Sequence, residues 1–215
     1  MKKILVKEKF LDKKFTQETL KLALPVMLTQ VGQVSVNLFD NIIVGKLLGA
    51  KALASVSLGN AIFFSIFIFG LGFSLAIPPL VSEAHSQHNH DRINSVFRHG
   101  FVVNLTVGII LVGLIFGFIP FLPHLGQPKE ILPDTVTFLS IVTLSIIPFM
   151  MFQTMREVSE GLSYTIGVTK ATIFANVINI ILNYIFIKTF SWGVAGSAWA
   201  TFIARICMLI FLYYV

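Results

Sequence analysis

Asp40 is the residue with the clearest chemistry to do. It is the one formal charge between residues 22 and 45, and Gln30, Gln33 and Asn37 precede it at spacings of 3, 4 and 3. At 100° per residue these four share roughly an 80° arc of one helix face. An ionisable side chain within an apolar helix is costly and marks a functional site unless it merely ends the helix near a surface. Asn176, Asn179 and Asn183, spaced 3 and 4, form a second polar stripe. Such amides either glue helices together, at about 0.6 kcal/mol per bond, or bind something. Depth favours binding. Asp40 lies five residues before Gly45, Asn183 five before Lys188, and Thr201 eight after Gly193. At 1.5 Å per residue all lie roughly 7–12 Å from a helix end. A carboxylate, two amides and a hydroxyl then meet in one layer, an oxygen set suited to a hard cation or a proton. If they share one ion, Asp40 should sit within about 8 Å of both asparagines. Gln33, Asn37 and Asn176 are the candidate cavity-lining residues beside them.

Other chemistries find little support. The segment from Ser82 to His90 holds three histidines, with His99 nearby, but their spacing fits no metal-ligand pattern and a solvated loop is the better reading. There is no phosphate-binding glycine loop and no Ser-His-Asp arrangement, so neither an ATPase nor a hydrolase is indicated. The single cysteine, Cys207, excludes a disulfide framework and a thiolate metal cage. The expectation is a protein that is not an enzyme and holds no metal or cofactor.

The elements that must position these residues follow from composition. Of 215 residues, 55% are hydrophobic and 12% charged, and the mean hydropathy is +0.84. A soluble domain carries about 25% charged residues, so most of this surface faces something other than water. Within a bilayer only helices and closed barrels satisfy the backbone, and the long runs without period-two alternation point to helices. Residues 52–82, 99–128, 135–155 and 171–187 carry no formal charge, 22–45 carry only Asp40, and 189–215 only Arg205. Each holds one spanning helix of about 20 residues. The reading is an all-α membrane protein, a six-transmembrane-helix bundle over 18–215 with spans near 18–45, 52–81, 95–119, 134–155, 164–187 and 194–215, behind a basic segment 1–17. Pro148 should kink the fourth span, and Pro120, Pro123, Pro128 and Pro133 mark a loop. Glycines and alanines on the third and sixth spans are packing signals.

The net charge of +6 is no sign of nucleic acid. Seven of the sixteen Lys/Arg lie within the first 21 residues, and alternation puts eleven on the N-terminal side against four on the other. By the positive-inside rule the N-terminus is cytoplasmic, in a multi-pass protein of the inner (plasma) membrane. The chain stops at an apolar Leu-Tyr-Tyr-Val, which reads as a truncation.

Three motifs in order bear a resemblance. Leu24-Pro25 followed by Leu38-Phe39-Asp40-Asn41-Ile42-Ile43-Val44-Gly45 resembles the first helix of multidrug and toxic compound extrusion (MATE) transporters. Glu160-Gly-Leu-Ser-Tyr-Thr-Ile-Gly-Val-Thr-Lys170 is similar to that family's loop before the fifth helix. Asn179-Ile-Ile-Leu-Asn183, then Gly193-Val-Ala-Gly196-Ser-Ala-Trp-Ala-Thr201, resembles its fifth and sixth helices. The resemblance implies one lobe of a twelve-helix transporter that exports drugs or other organic amphiphiles by alternating access, driven by Na⁺ or H⁺, with a C-terminal lobe, the lipid bilayer and a small organic substrate as partners. It also implies cation binding by Asp40, Asn179, Asn183 and Thr201. Two features depart from the family pattern. Ala84-His85-Ser86-Gln87 replaces a glycine-rich turn, and Asn183 stands where some members have a second acid. The alternatives are a flippase of a lipid-linked precursor, which should hold more than the lone intramembrane Arg205, and a scaffold without transport.

Overall fold

The computed structural model describes residues 13–215, and the side chains of Pro25, Gln30, Gln33 and several neighbours in the first helix lie outside that description. The basic residues from Lys2 to Lys9 also lie outside it. The described chain is helical, with no strand. Its helices are α1 (Lys13–Leu48), α2 (Ala50–Ser74), α3 (Ile77–Ser86), α4 (His90–Phe118), α5 (Leu132–Leu144), α6 (Ile146–Gly161), α7 (Thr165–Tyr184) and α8 (Gly193–Tyr214). A 3₁₀ stretch, Ile119–Leu125, prolongs α4, and a π turn, Ile185–Thr189, prolongs α7.

Among the described residues four segments are long and apolar enough to cross a membrane: Ala50–Ser86, His90–Leu125, Thr165–Thr189 and Gly193–Tyr214. The pair α5 and α6 makes a fifth when counted as one bent span. The 36 residues of α1 reach about 54 Å at 1.5 Å each, more than the ~30 Å of a hydrocarbon core. Large apolar side chains cover the outside, among them Val102, Ile109, Ile110 and Leu114 on α4 and Met27, Val31, Val34 and Leu38 on α1. Helices that are apolar on outer and inner faces alike suit a lipid surround.

The run expected as one span over 52–81 lies within the single apolar segment Ala50–Ser86, which is interrupted by a turn. A turn at residues 75–76 separates α2 from α3, and α3 opens with Pro78 and Pro79 in its first turn, where the missing N–H costs nothing. The histidine-bearing loop is short. Asn89 caps α4 by accepting from the Arg92 backbone N–H at 2.9 Å, and the Arg92 guanidinium grips both Glu83 oxygens at 3.1 and 3.0 Å. The fourth span bends by 42° between α5 and α6. Pro148 lacks the N–H that would reach back to Leu144, and its ring crowds that carbonyl, so the bend falls at Ser145, a turn before the proline.

Packing follows from these breaks. α1 lies chiefly along α7, and α7 along α8. α5 wedges between α2 and α8, while α4 and α3 cover α6. The larger core joins Phe63 and Phe67 of α2, Leu111 and Ile115 of α4, Phe138 of α5 and Met150 of α6. A smaller core joins Phe152, Val168, Ala171, Met208 and Leu212 across α6, α7 and α8. The α1–α7–α8 sheaf is thus held to the rest mainly through α8, and within it Asp40 of α1 meets Asn183 of α7.

Candidate ion site

Asp40 is 3% exposed. Its two oxygens accept from two different helices: Asn183 Nδ2 on α7 donates to Oδ1 at 2.5 Å, and Thr201 Oγ1 on α8 donates to Oδ2 at 3.2 Å. Asn179 closes the ring, donating through Nδ2 to Thr201 Oγ1 at 3.3 Å and accepting through Oδ1 from Asn183 Nδ2 at 3.4 Å. All four side chains are buried. The i, i+4 spacing of Asn179 and Asn183 stacks them on one face of α7, so that Asn183 reaches a carboxylate far away in sequence and Asn179 the Thr201 hydroxyl beside it. Bonds to an ionised group are about twice as strong as neutral ones, which suits a carboxylate removed from water.

The donor set is rich in oxygen: two from Asp40, and one each from Asn179, Asn183 and Thr201. Asn183 Oδ1 is buried and has no hydrogen-bond donor among the described residues. A buried acceptor without a donor costs about 1–3 kcal/mol, and a hard cation would satisfy it. The residues present therefore fit a monovalent cation chemically.

The cavity-lining candidates fare unequally. Asn37 and Asn176 line a cavity of about 70 Å³, with Asn179, Thr201, Phe149 and Arg205. Asn176 spends its Nδ2 on the Gly32 carbonyl of α1 at 2.8 Å, so it also ties the two helices. They approach closely there, since a Cβ on Gly32 would lie 3.1 Å from Thr172 Cγ2. The Gln33 side chain lies outside the described ones. A site for a drug-sized molecule occupies about 300–1,000 Å³, so this cavity holds an ion, waters or one small group.

Sequence reasoning noted Arg205 only as the lone intramembrane cation and passed over its three neighbours, Ser145, Phe63 and Phe149. Arg205, on α8, donates through Nη1 to Ser145 Oγ at 2.5 Å, and its Cζ lies 4.7 Å from the ring centroids of both Phe63 and Phe149. The intramembrane charge of Arg205 was a signal in itself. No periodicity points to Ser145 or the two phenylalanines as its partners, because they come from other helices.

Comparison with known proteins bears on the chain as a whole. The family profile described as MatE matches residues 25–185. A probable multidrug resistance protein NorM of Acinetobacter baylyi is 31% identical over 191 residues, covering 86% of this chain and 42% of that protein. A solved structure described as MATE in the straight conformation superposes with a TM-score of 0.86 at 18% identity, covering 94% of this chain and 46% of that one. The MATE transporter ClbM, solved in complex with Rb⁺, has a TM-score of 0.79 at 26% identity, over 91% and 44%. This chain spans about two fifths of the curated relatives it matches, 38% of one and 42% of another.

Proposed function

Because the chain belongs to the MatE family, we propose that it is one lobe of a cation-coupled exporter of drugs or other organic amphiphiles, working by alternating access with a second lobe. The observation that carries this reading is the ring of Asp40, Asn183, Asn179 and Thr201, which joins α1, α7 and α8 through one buried carboxylate. The four residues are the cation site, and Na⁺ or H⁺ is the coupling ion.

The mechanism follows from what the ring ties together. With the ring closed, Asn183 and Thr201 hold α1 against α7 and α8 by donating to Asp40. A cation among the same oxygens replaces these bonds with ligation, and the Asn183 amide turns its oxygen inward. The change alters what holds α1, and Pro25 gives that helix a place to bend. A ligand shifts such an equilibrium only by its differential affinity for the two shapes, and the carboxylate supplies most of that difference. The complex of ClbM with Rb⁺ supports a monovalent cation as a ligand in this family. The protein is placed in the plasma membrane with a cytoplasmic N-terminus, on the strength of its lysine-rich start.

Vesicles carrying the protein with a second lobe, loaded with a fluorescent amphiphile and given either a Na⁺ or a pH gradient, test the proposal. Efflux that follows one gradient and stops when it is collapsed is expected. Efflux indifferent to both gradients overturns cation coupling.

A further inference from the structure

Arg205 is the one formal charge between residue 189 and the end of the chain, and a guanidinium at that depth is costly unless it has work to do. It is held in place from several sides. Its Cζ sits over the rings of Phe63 and Phe149, and Nη1 meets Ser145 Oγ at the break between α5 and α6. Ser145 uses its own hydroxyl proton on the Val142 carbonyl, so its oxygen is free to accept from Arg205. A guanidinium carries five N–H donors in a rigid fork, and among the described residues its hydrogen bond is this one. Neither of the two ion pairs found among them involves Arg205. Asp40 is the nearby acid and its charge is felt by Arg205, but no hydrogen bond or close ion pair joins the two among the described residues. The hydrogen bonds Asp40 accepts come from Asn183 and Thr201. Arg205 nevertheless lines the 70 Å³ cavity.

We propose that Arg205 determines the specificity of this cavity by gripping the anionic head of an amphiphile, a carboxylate or sulfonate, so that the lobe takes anionic or zwitterionic substrates in preference to purely cationic ones. This rests on the exporter reading above and names its substrate class. The volume admits a headgroup and excludes a whole drug. The two rings at 4.7 Å hold the guanidinium between them, and Ser145 fixes one corner. The remaining N–H groups then suit bidentate recognition, which favours a planar or tetrahedral oxyanion over a point charge. Asn37, Asn176 and Asn179 add amide groups on the same wall. The competing account is purely structural, with Arg205 as a strut bracing the bend against α8.

The test is binding of two fluorescent probes with one dansyl body, one ending in a carboxylate and one in a quaternary ammonium, to the purified protein in detergent. The carboxylate probe should bind about tenfold more tightly, a difference of about 1.4 kcal/mol. R205M and R205Q should erase that preference by weakening the carboxylate probe alone, and R205K should keep part of it, because the charge stays and the fork is lost. S145A keeps the guanidinium while removing its brace, so it should retain the preference at reduced thermal stability. Equal or tighter binding of the ammonium probe to the unmodified protein overturns the proposal. So does a preference that survives in R205M or R205Q, and if those variants fail to fold, loss of the preference in S145A with R205K unchanged from wild type does the same. Binding is read without any gradient, so this outcome is independent of whether gradient-driven efflux occurs.

Discussion

Asn183 donates to Asp40 at 2.5 Å across 143 positions of sequence, binding the seventh helix to the first. The amide supplies a hydrogen to one carboxylate oxygen and leaves its own oxygen buried without a donor. The pair is therefore well matched as a hydrogen bond and poorly satisfied as an amide, a state that one added cation would relieve.

Asp40→Asn, in the protein assembled with its second lobe, should reduce gradient-driven efflux to background while changing the melting temperature little. The amide keeps the shape of the carboxylate and loses its charge and its proton exchange. Dye efflux from proteoliposomes and a melting curve, taken on one preparation, check both halves of this expectation.

Asn183→Asp should tighten Na⁺ binding by about tenfold, or about 1.4 kcal/mol, and lower stability in Na⁺-free buffer. Two carboxylates at hydrogen-bond distance repel, and a cation between them removes the repulsion. Calorimetric titration with NaCl gives the affinity. The melting temperature should rise more steeply with Na⁺ in the variant than in the parent.

Gly161→Ala should destabilise the fold by about 1–3 kcal/mol. The added Cβ would lie 2.7 Å from Val81 Cβ and 2.9 Å from the Pro78 carbonyl oxygen, forcing α3 off α6. At Gly113, where a Cβ meets nothing within 4 Å, the same change should be neutral or gain up to about 1 kcal/mol from helix propensity. Loss of helicity on titration with a denaturing detergent compares the two.

Asn104→Leu should cost only about 0.5–1.5 kcal/mol, although Asn104 bridges three helices. It accepts from Ser74 Oγ at 3.2 Å and donates to Thr154 Oγ1 at 2.8 Å. Both hydroxyls also reach a carbonyl one turn back, Gly70 and Met150, so neither is orphaned by the change. A loss beyond 3 kcal/mol in the same denaturation assay would show the bridge to be cooperative in a way these bonds do not explain.

The helical class was legible because charge is so unevenly spread: a long uncharged run has few options in lipid. The meeting of Asp40, Asn179, Asn183 and Thr201 was legible too, from helical period and from residue counts to the nearest turn. The turn at residues 75–76 inside the second span was not read, although Pro78 and Pro79 announced it, because hydropathy is blind to a turn that stays apolar. The bend of the fourth span was expected at Pro148 and sits at Ser145, since a proline disturbs the turn before it. Arg205 stood out by charge alone. Its partners Phe149, Ser145 and Phe63 lie well over 50 positions away on other elements, and pairing across helices depends on rotations that no one-dimensional pattern records.

The span of sequence between Asp40 and its partners also sets an order of events during synthesis. Asn183 follows Asp40 by 143 positions and Thr201 by 161. At about 5–20 residues per second, roughly 7–30 s separate the emergence of the carboxylate from that of its first α7 partner. During that wait α1 must reside in the bilayer with its acid unsatisfied, accompanied at first only by α2. Asp40 lies eight positions before Leu48, where α1 ends, about 12 Å along the helix and near enough to its end to borrow hydration from the headgroup region. The polar seam is therefore the last part of the lobe to be sealed. A ribosome that pauses before α7 leaves in the membrane a helix with an unpaired carboxylate, the kind of defect that a membrane-embedded quality-control protease is equipped to notice.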